Sequence, residues 1–412
     1  MKTPGEILGR PLDLPCGAKL PNRILKSAMS ETLADESRAP NSLHTRLYRT
    51  FALGGTGTLV TGNVMVDRRA LGEPGNVAVE DERHLSELRT WAAAGTCNSN
   101  HLWMQINHPG KQAPRGLSRH QEAVAPSAIP LEGAGMKQAF GVPRELRPEE
   151  IEEIIARFAR TAGIAKKAGF TGVQIHGAHG YLVSQFLSPR HNHRADEWGG
   201  TPEKRRKFAL DVYKAMRAEV GKNYPVSIKI NSADFMRGGF SDEESLDAVQ
   251  ALAEAGIDLI EISGGSYESP EMFTSKKSTR EREAYFLGFA EKARKRIKTP
   301  LAVTGGFRSA EGMARAVESG AVDVVGLARS LCADPDIPRK VLAGVPFPDP
   351  MLKRTTGIPL LDKIGLVEAT WYGEQLIRMA KGKAPDPKMS VLEATARNFL
   401  AKGLKAFQQR RA

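Results

Sequence analysis

Cysteine is scarce. The chain of 412 residues has only Cys16, Cys97 and Cys332, far apart in sequence. That excludes a cysteine-held iron–sulfur or zinc cluster and argues against a disulfide scaffold. Long apolar runs are missing too: no stretch of about 18 uninterrupted apolar residues exists to span a membrane. The first residues are polar and broken by Pro4 and Pro11, unlike a secretory leader, so a cytoplasmic location is the expectation. Internal repeats and low-complexity segments are absent, and aromatic residues are only 6%. An ordinary apolar fraction of 41% over this length is enough to bury a large core without staples.

Charge is not scarce. The formal net charge is +12, but residues 351–412 hold 12 Lys+Arg against 5 Asp+Glu. The first 350 residues therefore carry only +5. This surplus reads as a solvated basic surface rather than a nucleic-acid site, because charge bears on solubility and steering more than on fold.

From Pro21 onward, short apolar runs alternate with helical patterns. The candidate strands are Arg23–Ser30, Thr56–Val64, Leu102–Asn107, Gly172–His176, Val226–Asn231, Leu259–Ser263, Leu301–Thr304 and Val322–Leu327. Runs this short and apolar suit strands buried on both faces. The intervening segments carry helix punctuation. Thr201-Pro202 offers a cap followed by proline, Ser241 with Glu244 a capping box, Pro148 an opening and Gly169 a stop. Eight strands alternating with helices predict a parallel (β/α)8 TIM barrel, with a doubly wound open sheet as the alternative. Three segments fall outside this rhythm. Residues 1–21 are expected to cap the barrel floor. Residues 109–147 form a long insertion after strand three. The basic extension 351–412 is expected to be helical, with an apolar stripe of Leu392, Ala396, Phe399 and Phe407. The domain division expected is 1–350 and 351–412.

Barrel active sites lie at the carboxyl ends of the strands. Strand four ends in His176, with His179 and Tyr181 in the Gly-rich turn that follows. Two imidazoles can donate hydrogen bonds to a carbonyl oxygen, and a nearby phenol can deliver a proton. A metal pair is the other reading of this HxxH spacing, but a catalytic metal needs about three protein ligands and no third is adjacent. Lys229 lies inside an apolar strand, so it needs an anion: a bound cofactor, or a carboxylate such as Glu261 on the next strand. Gln105 offers a planar donor and acceptor to a heterocycle edge. Gly305 and Gly306 after strand seven, with Ala328 and Arg329 after strand eight, stand where barrels often bind phosphate.

At these residues the chain resembles the old yellow enzyme family of FMN-dependent NADH:flavin oxidoreductases and ene-reductases. The run from Ile175 through His176, His179 and Tyr181 to Pro189, then Asn192, Arg194, Gly199, Gly200 and Arg205, carries the resemblance. Asn22-Arg23-Ile24 with Ala28-Met29-Ser30 looks like the family's first strand, and Gln105 with His108 and Gly110 like its third. The likeness covers roughly residues 5–345. Ser30 stands where members carry Thr or Cys, and Trp198 where a Tyr is usual.

The resemblance implies FMN at the barrel mouth. Ala28, Met29 and Ser30 would face the flavin ring, with Gly62 packed beside it. Gln105 would bind the pyrimidine edge, and Lys229 would sit near N1 and O2. Gly305, Gly306, Ala328 and Arg329 would hold the phosphate. His176 and His179 would grip the substrate carbonyl, and Tyr181 would be the proton donor. NADH or NADPH would be the hydride donor, and an electrophilic alkene the acceptor. Two other readings remain at this stage: a flavin-free lyase or isomerase acting on a phosphorylated substrate, and a binding protein acting through its basic tail. A homo-oligomer is compatible with all three.

Overall fold

The short apolar runs pair side by side, each parallel to the next, in the computed structural model of the protein. It describes residues 2–117, 122–133, 136–265, 284, 286–347, 355–356, 366–397 and 400. The barrel strands are β1 (Ile24–Lys26), β2 (Thr58–Met65), β3 (His101–Asn107), β4 (Gly172–Gly177), β5 (Val226–Asn231), β6 (Leu259–Ser263), β7 (Leu301–Thr304) and β8 (Val324–Leu327). Each pairs with its successor, and β8 pairs back onto β1 through Val325–Ile24, Gly326–Leu25 and Leu327–Lys26. The sheet is closed, which removes the doubly wound alternative. A two-residue strand, Val77–Ala78, adds to the end of β2.

β1 is shorter than the run Arg23–Ser30 predicts. Its ladder ends at Lys26, and Ser27 gives its N–H to Leu327 O at 2.8 Å as the chain turns away. Residues 27–30 thereby form the lip of the barrel instead of a strand.

The barrel helices are α1 (Ser42–Leu53), α2 (Leu85–Gly95), α3 (Pro148–Ala168), α4 (Pro202–Val220), α5 (Asp242–Glu254), α6 (Leu287–Arg294) and α7 (Ala310–Glu318). Their ends obey local chemistry. Thr201 caps α4, Ser241 and Glu244 close a reciprocal box on α5, and Gly169 ends α3 at φ 95°. Their inner faces join the strands in one large core, in which Phe158, Phe186 and Phe208 are fully buried.

The floor of the barrel is a separate apolar cluster. Leu14 and Leu20, from a hairpin in the first 21 residues, cover Leu25, Val60, Trp103, Leu259 and Val324 at the strand starts. The insertion after β3 forms a two-strand ribbon, Val124–Ala125 with Arg144–Glu145, and a short helix, Met136–Phe140.

In the extension, α8 (Leu366–Ala380) packs against α1 and against the short helix Arg329–Ala333 that follows β8. Trp371 is fully buried and gives its indole N–H to Met389 O at 3.0 Å. The expected stripe near the end is displaced. Val391 and Ala394 are buried, whereas Leu392 and Ala396 are exposed. Phe399 and Phe407 lie outside the described residues. Among the described residues, no helix is long and apolar enough to cross a membrane.

Candidate active site

The turn after β4 assembles the first part of the site. His179 has φ 61° and Gly180 φ 77°, two successive left-handed residues. For a histidine this conformation is uncommon. It folds the chain back so that His179 and Tyr181 return toward His176. The rings of His176 and Tyr181 are 4.7 Å apart, and those of His176 and His179 are 5.2 Å apart. These three residues share a cavity of about 70 Å³ with Ser30, Asn63, Gln105 and Lys229, and Ala28 and Met29 also line it.

The two imidazoles are bonded to each other. His176 Nε2 lies 3.2 Å from His179 Nδ1, and His179 Nε2 lies 2.8 Å from Ser263 Oγ. On the other side, His176 Nδ1 lies 2.8 Å from Asn63 Oδ1. Asn63 Nδ2 donates to Ser30 Oγ at 3.3 Å and to Tyr181 Oη at 3.4 Å. Burial holds both histidines neutral: His176 is well below the usual range, and His179 is pushed down to about 3, with the Lys229 ammonium acting in the same direction. Neutral imidazoles can donate to a carbonyl without bringing a charge.

Asn63, Ser263 and Asn231, whose Oδ1 accepts the His179 N–H at 3.2 Å, are not among the site residues the sequence singles out. Asn63 follows a bulge: the register of β2 against β3 shifts between Val60 and Asn63, and Gln105 N–H bonds Thr61 Oγ1 at 2.9 Å. Such irregularities re-aim side chains near sites. A polar residue inside an apolar strand, the signal that exposed Lys229, would have found Asn63 as well.

Under the cavity lies a buried polar network. Lys229 Nζ is 3.0 Å from Glu261 Oε1 and donates to Ser27 Oγ at 2.6 Å. Glu261 also accepts from Ser27 Oγ at 2.5 Å, Thr304 Oγ1 at 2.7 Å and Gln174 Nε2 at 2.8 Å. Gln105 Nε2 in turn donates to Gln174 Oε1 at 2.8 Å. Burial works to raise the Glu261 carboxyl, but Lys229 and these donors bring it below the usual range. Of the two anions the sequence allowed for Lys229, the carboxylate is therefore present in the fold.

Gly62 is tightly constrained. Its N–H bonds Glu31 Oε1 at 2.8 Å, and a Cβ there would meet Glu31 Oε2 at 2.0 Å. The missing side chain makes room for Glu31, which also accepts from the Tyr48 hydroxyl.

At the ends of β7, β8 and β1, neighbours in the barrel, the residues are only half-buried: Thr304, Gly305, Gly306, Ala328, Ala28, Met29 and Ser30. Gly305 and Gly306 have φ 109° and 92°, and a Cβ at Gly305 would meet nothing within 4 Å. Arg329 follows Ala328 and opens the short helix after β8. Its guanidinium is 3.6 Å from Glu368 and 6.0 Å from the Tyr372 ring, both on α8.

A second cavity, of about 420 Å³, lies beside the insertion, walled by Asp67, Arg69, Arg144, Glu150 and Arg157. Its charges are matched in ion pairs such as Arg157–Asp67 and Arg144–Glu150, so its size does not make it the chemical centre. Among the described residues, no group of three His, Cys, Asp or Glu side chains could hold a metal ion.

Comparison with known proteins matches residues 8–347 to the NADH:flavin oxidoreductase / NADH oxidase family. The chain is 40% identical over 356 residues to the NADH-dependent flavin oxidoreductase iliE of Hypocrea jecorina (strain QM6a), covering 81% of this chain and 88% of that one. It is 37% identical over 355 residues to its namesake from Neonectria sp. (strain DH2), covering 80% of this chain but 46% of that longer protein. Among solved structures, a 2-naphthoyl-CoA reductase complex superposes with a TM-score of 0.76 at 28% identity, over 83% of this chain and 53% of that one. The family match spans the whole barrel and every residue of the site except Glu368 and Tyr372 on α8, and the chain therefore belongs to the NADH:flavin oxidoreductase / NADH oxidase family, the FMN-dependent oxidoreductases that include the old yellow enzymes.

Proposed function

We propose that this protein reduces the carbon–carbon double bond of α,β-unsaturated carbonyl compounds, with FMN as prosthetic group and NADH or NADPH as electron source. The observation that carries this reading is the convergence of His176, His179 and Tyr181 on one cavity with Gln105 and Lys229.

The residues present fit the cofactor. The ends of β7, β8 and β1 are only partly covered, and the open side of Gly305 faces free space. Gly305, Gly306 and Ala328 would offer backbone N–H groups to the phosphate, and Arg329 a bidentate cation. Ala28, Met29, Ser30 and Gly62 would flank the ring, with Gln105 at its pyrimidine edge and Lys229 at the N1 and O2 side. Bound FMN supplies hydride transfer, alternately accepting and donating, which gives ping-pong kinetics.

The chain's own residues do the rest. His176 and His179 hold the carbonyl oxygen by hydrogen bonds, which strengthen as negative charge builds there. Tyr181 gives its phenolic proton to the carbon next to the carbonyl. His176 and Tyr181 are buried, so bulk water competes little for these donors.

A yellow purified protein that releases FMN on denaturation is the first expectation; a colourless one that cannot be loaded with FMN would favour the lyase reading. Tyr181→Phe then tests the roles. It should retain FMN and its reduction by NADH, and slow only the transfer to an enone, by about 10²–10⁴. Slowed flavin reduction with intact enone reduction would overturn the proton-donor assignment.

A further inference from the structure

Glu261 is fully buried, an arrangement a carboxylate tolerates only when paired. It is paired four ways, but only one partner is charged: Lys229, 3.0 Å away and itself on the wall of the cavity. If Lys229 served only to attract an anion from solution, a buried carboxylate at this distance would work against it. The pair behind the wall is close to electrically neutral, and its geometry is over-determined. β5 and β6 place Lys229 and Glu261 directly opposite each other in register. Ser27, from the β1 end, bridges the two, Thr304 adds a bond from β7, and Gln174 adds one from β4. Through Gln174 the same carboxylate also orients Gln105. The two side chains that resemblance places against the pyrimidine half of the flavin therefore share one hub.

We propose that Glu261 is a positioning residue that sets the charge felt by the bound flavin. It fixes the Lys229 ammonium and the Gln105 amide, and it offsets the Lys229 charge. Reduction places extra negative charge on the N1 and O2 side of a flavin. A bare ammonium there would favour the reduced form and make the cofactor a reluctant donor. The Glu261 carboxylate removes most of that preference and keeps the bound flavin reducing. This rests on the reading that FMN occupies the barrel mouth with its pyrimidine edge toward Lys229.

The test is the midpoint potential of the FMN-loaded protein, read from its absorbance in equilibrium with dyes of known potential. FMN dissociation is followed separately by fluorescence. Glu261→Gln keeps the shape and one acceptor oxygen, and the amides of Gln174 and Gln105 can rotate to match it. The affinity for reduced over oxidised FMN should rise at least tenfold, an upward shift of at least about 30 mV for a two-electron couple. The double variant Lys229→Gln with Glu261→Gln removes both charges and should return to within that step of the parent. If Lys229 acts uncompensated, the double variant falls below the parent instead, which overturns the proposal even should Glu261→Gln alone fail to fold. A loaded Glu261→Gln protein with unchanged potential also overturns it. Failure of the parent to bind FMN is a different result and overturns the underlying reading.

Discussion

Asn63 on β2 and His176 on β4, with β3 between them, are joined by a 2.8 Å contact between the amide oxygen and Nδ1. With the carbonyl end of Asn63 facing the ring, Nδ1 carries the proton and Nε2 is an acceptor, filled by His179. In that state His176 cannot donate to a substrate oxygen. To do so it must move its proton to Nε2, which requires Asn63 to turn its amide over. The hydroxyls of Ser30 and Tyr181 at the far end of the amide can each donate or accept, so both orientations are satisfiable.

An aspartate at position 63 could only accept, and would hold the Nδ1 proton in place. Asn63→Asp should therefore lose enone reduction by about 10²–10³ at pH 7.5, the cost of one missing oxyanion donor. Asn63→Ala should lose less, about tenfold. The aspartate also raises the His176 pKa. Below the raised value both ring nitrogens carry protons, so Asn63→Asp should recover activity as the pH falls while the parent does not. A pH profile of the oxidative half-reaction measures this, and equal losses in both variants at every pH would exclude the tautomer role.

Arg329 has two claimants. Its guanidinium already faces Glu368 on α8, and the proposed function assigns it the FMN phosphate. Arg329→Ala loses a charge-assisted contact of roughly 1.5–3 kcal/mol and should weaken FMN binding about tenfold or more. Glu368→Gln should act the other way. The ion pair is partly exposed and worth at most about 1 kcal/mol, so FMN should bind up to about fivefold more tightly. Fluorescence titration of apoprotein with FMN reads both. Equal FMN affinity in Arg329→Ala and the parent would remove Arg329 from the phosphate site.

The extension belongs to the barrel's stability. Trp371 is fully buried, Tyr372, Leu376 and Met379 nearly so, and all lie on α8. Trp371→Ala should cost about 3–5 kcal/mol, or about 4–6 °C in melting temperature for a chain this long. Deleting residues 351–412 should lower it further. Unchanged melting, together with loss of binding to anionic liposomes, would point to a membrane role instead.

The strands are legible in the sequence because a strand buried on both faces has little freedom in composition; seven of the eight runs start within two residues of the observed strand and stop likewise. β1 was overdrawn because Ser27–Ser30 look extended but find no ladder partner once Leu327 is used. Closure was not legible: rhythm is the same in an open sheet. Residues in the strand-four turn were readable from type and spacing. Asn63 is legible only as a polar residue inside an apolar strand; its role, like those of Ser263 and Asn231, comes from a contact across 50 or more residues that no local pattern reports. Leu392 misled for a simple reason: it is the larger apolar residue, but Val391 and Ala394, three apart, are the pair that turns inward.

Acid should unfold the protein earlier than its carboxylates alone would dictate. Burial holds His108 down to about 4 and His179 and His191 to about 3, and it lowers His101 and His176 as well. Their pKa values are depressed in the fold, so the unfolded chain takes up protons that the native state refuses. Above the unfolded value of about 6.5 both states are neutral at these sites and nothing is lost. Below it, each such imidazole costs about 1.4 kcal/mol of stability per pH unit until its folded pKa is reached. Carboxylates with lowered values, such as Glu150 at about 2, act only below their own unfolded range near 4.3, so the two windows separate. Stability measured by urea unfolding should be flat from pH 8 to 7 and then fall steeply between pH 6 and 4.5. His108→Asn removes one titrating ring and keeps an acceptor for the Gly110 N–H, which now bonds His108 Nδ1 at 3.0 Å. It should make that fall shallower by about 1.4 kcal/mol per pH unit. A parent protein with constant stability down to pH 5 would show that these histidines protonate in the native fold.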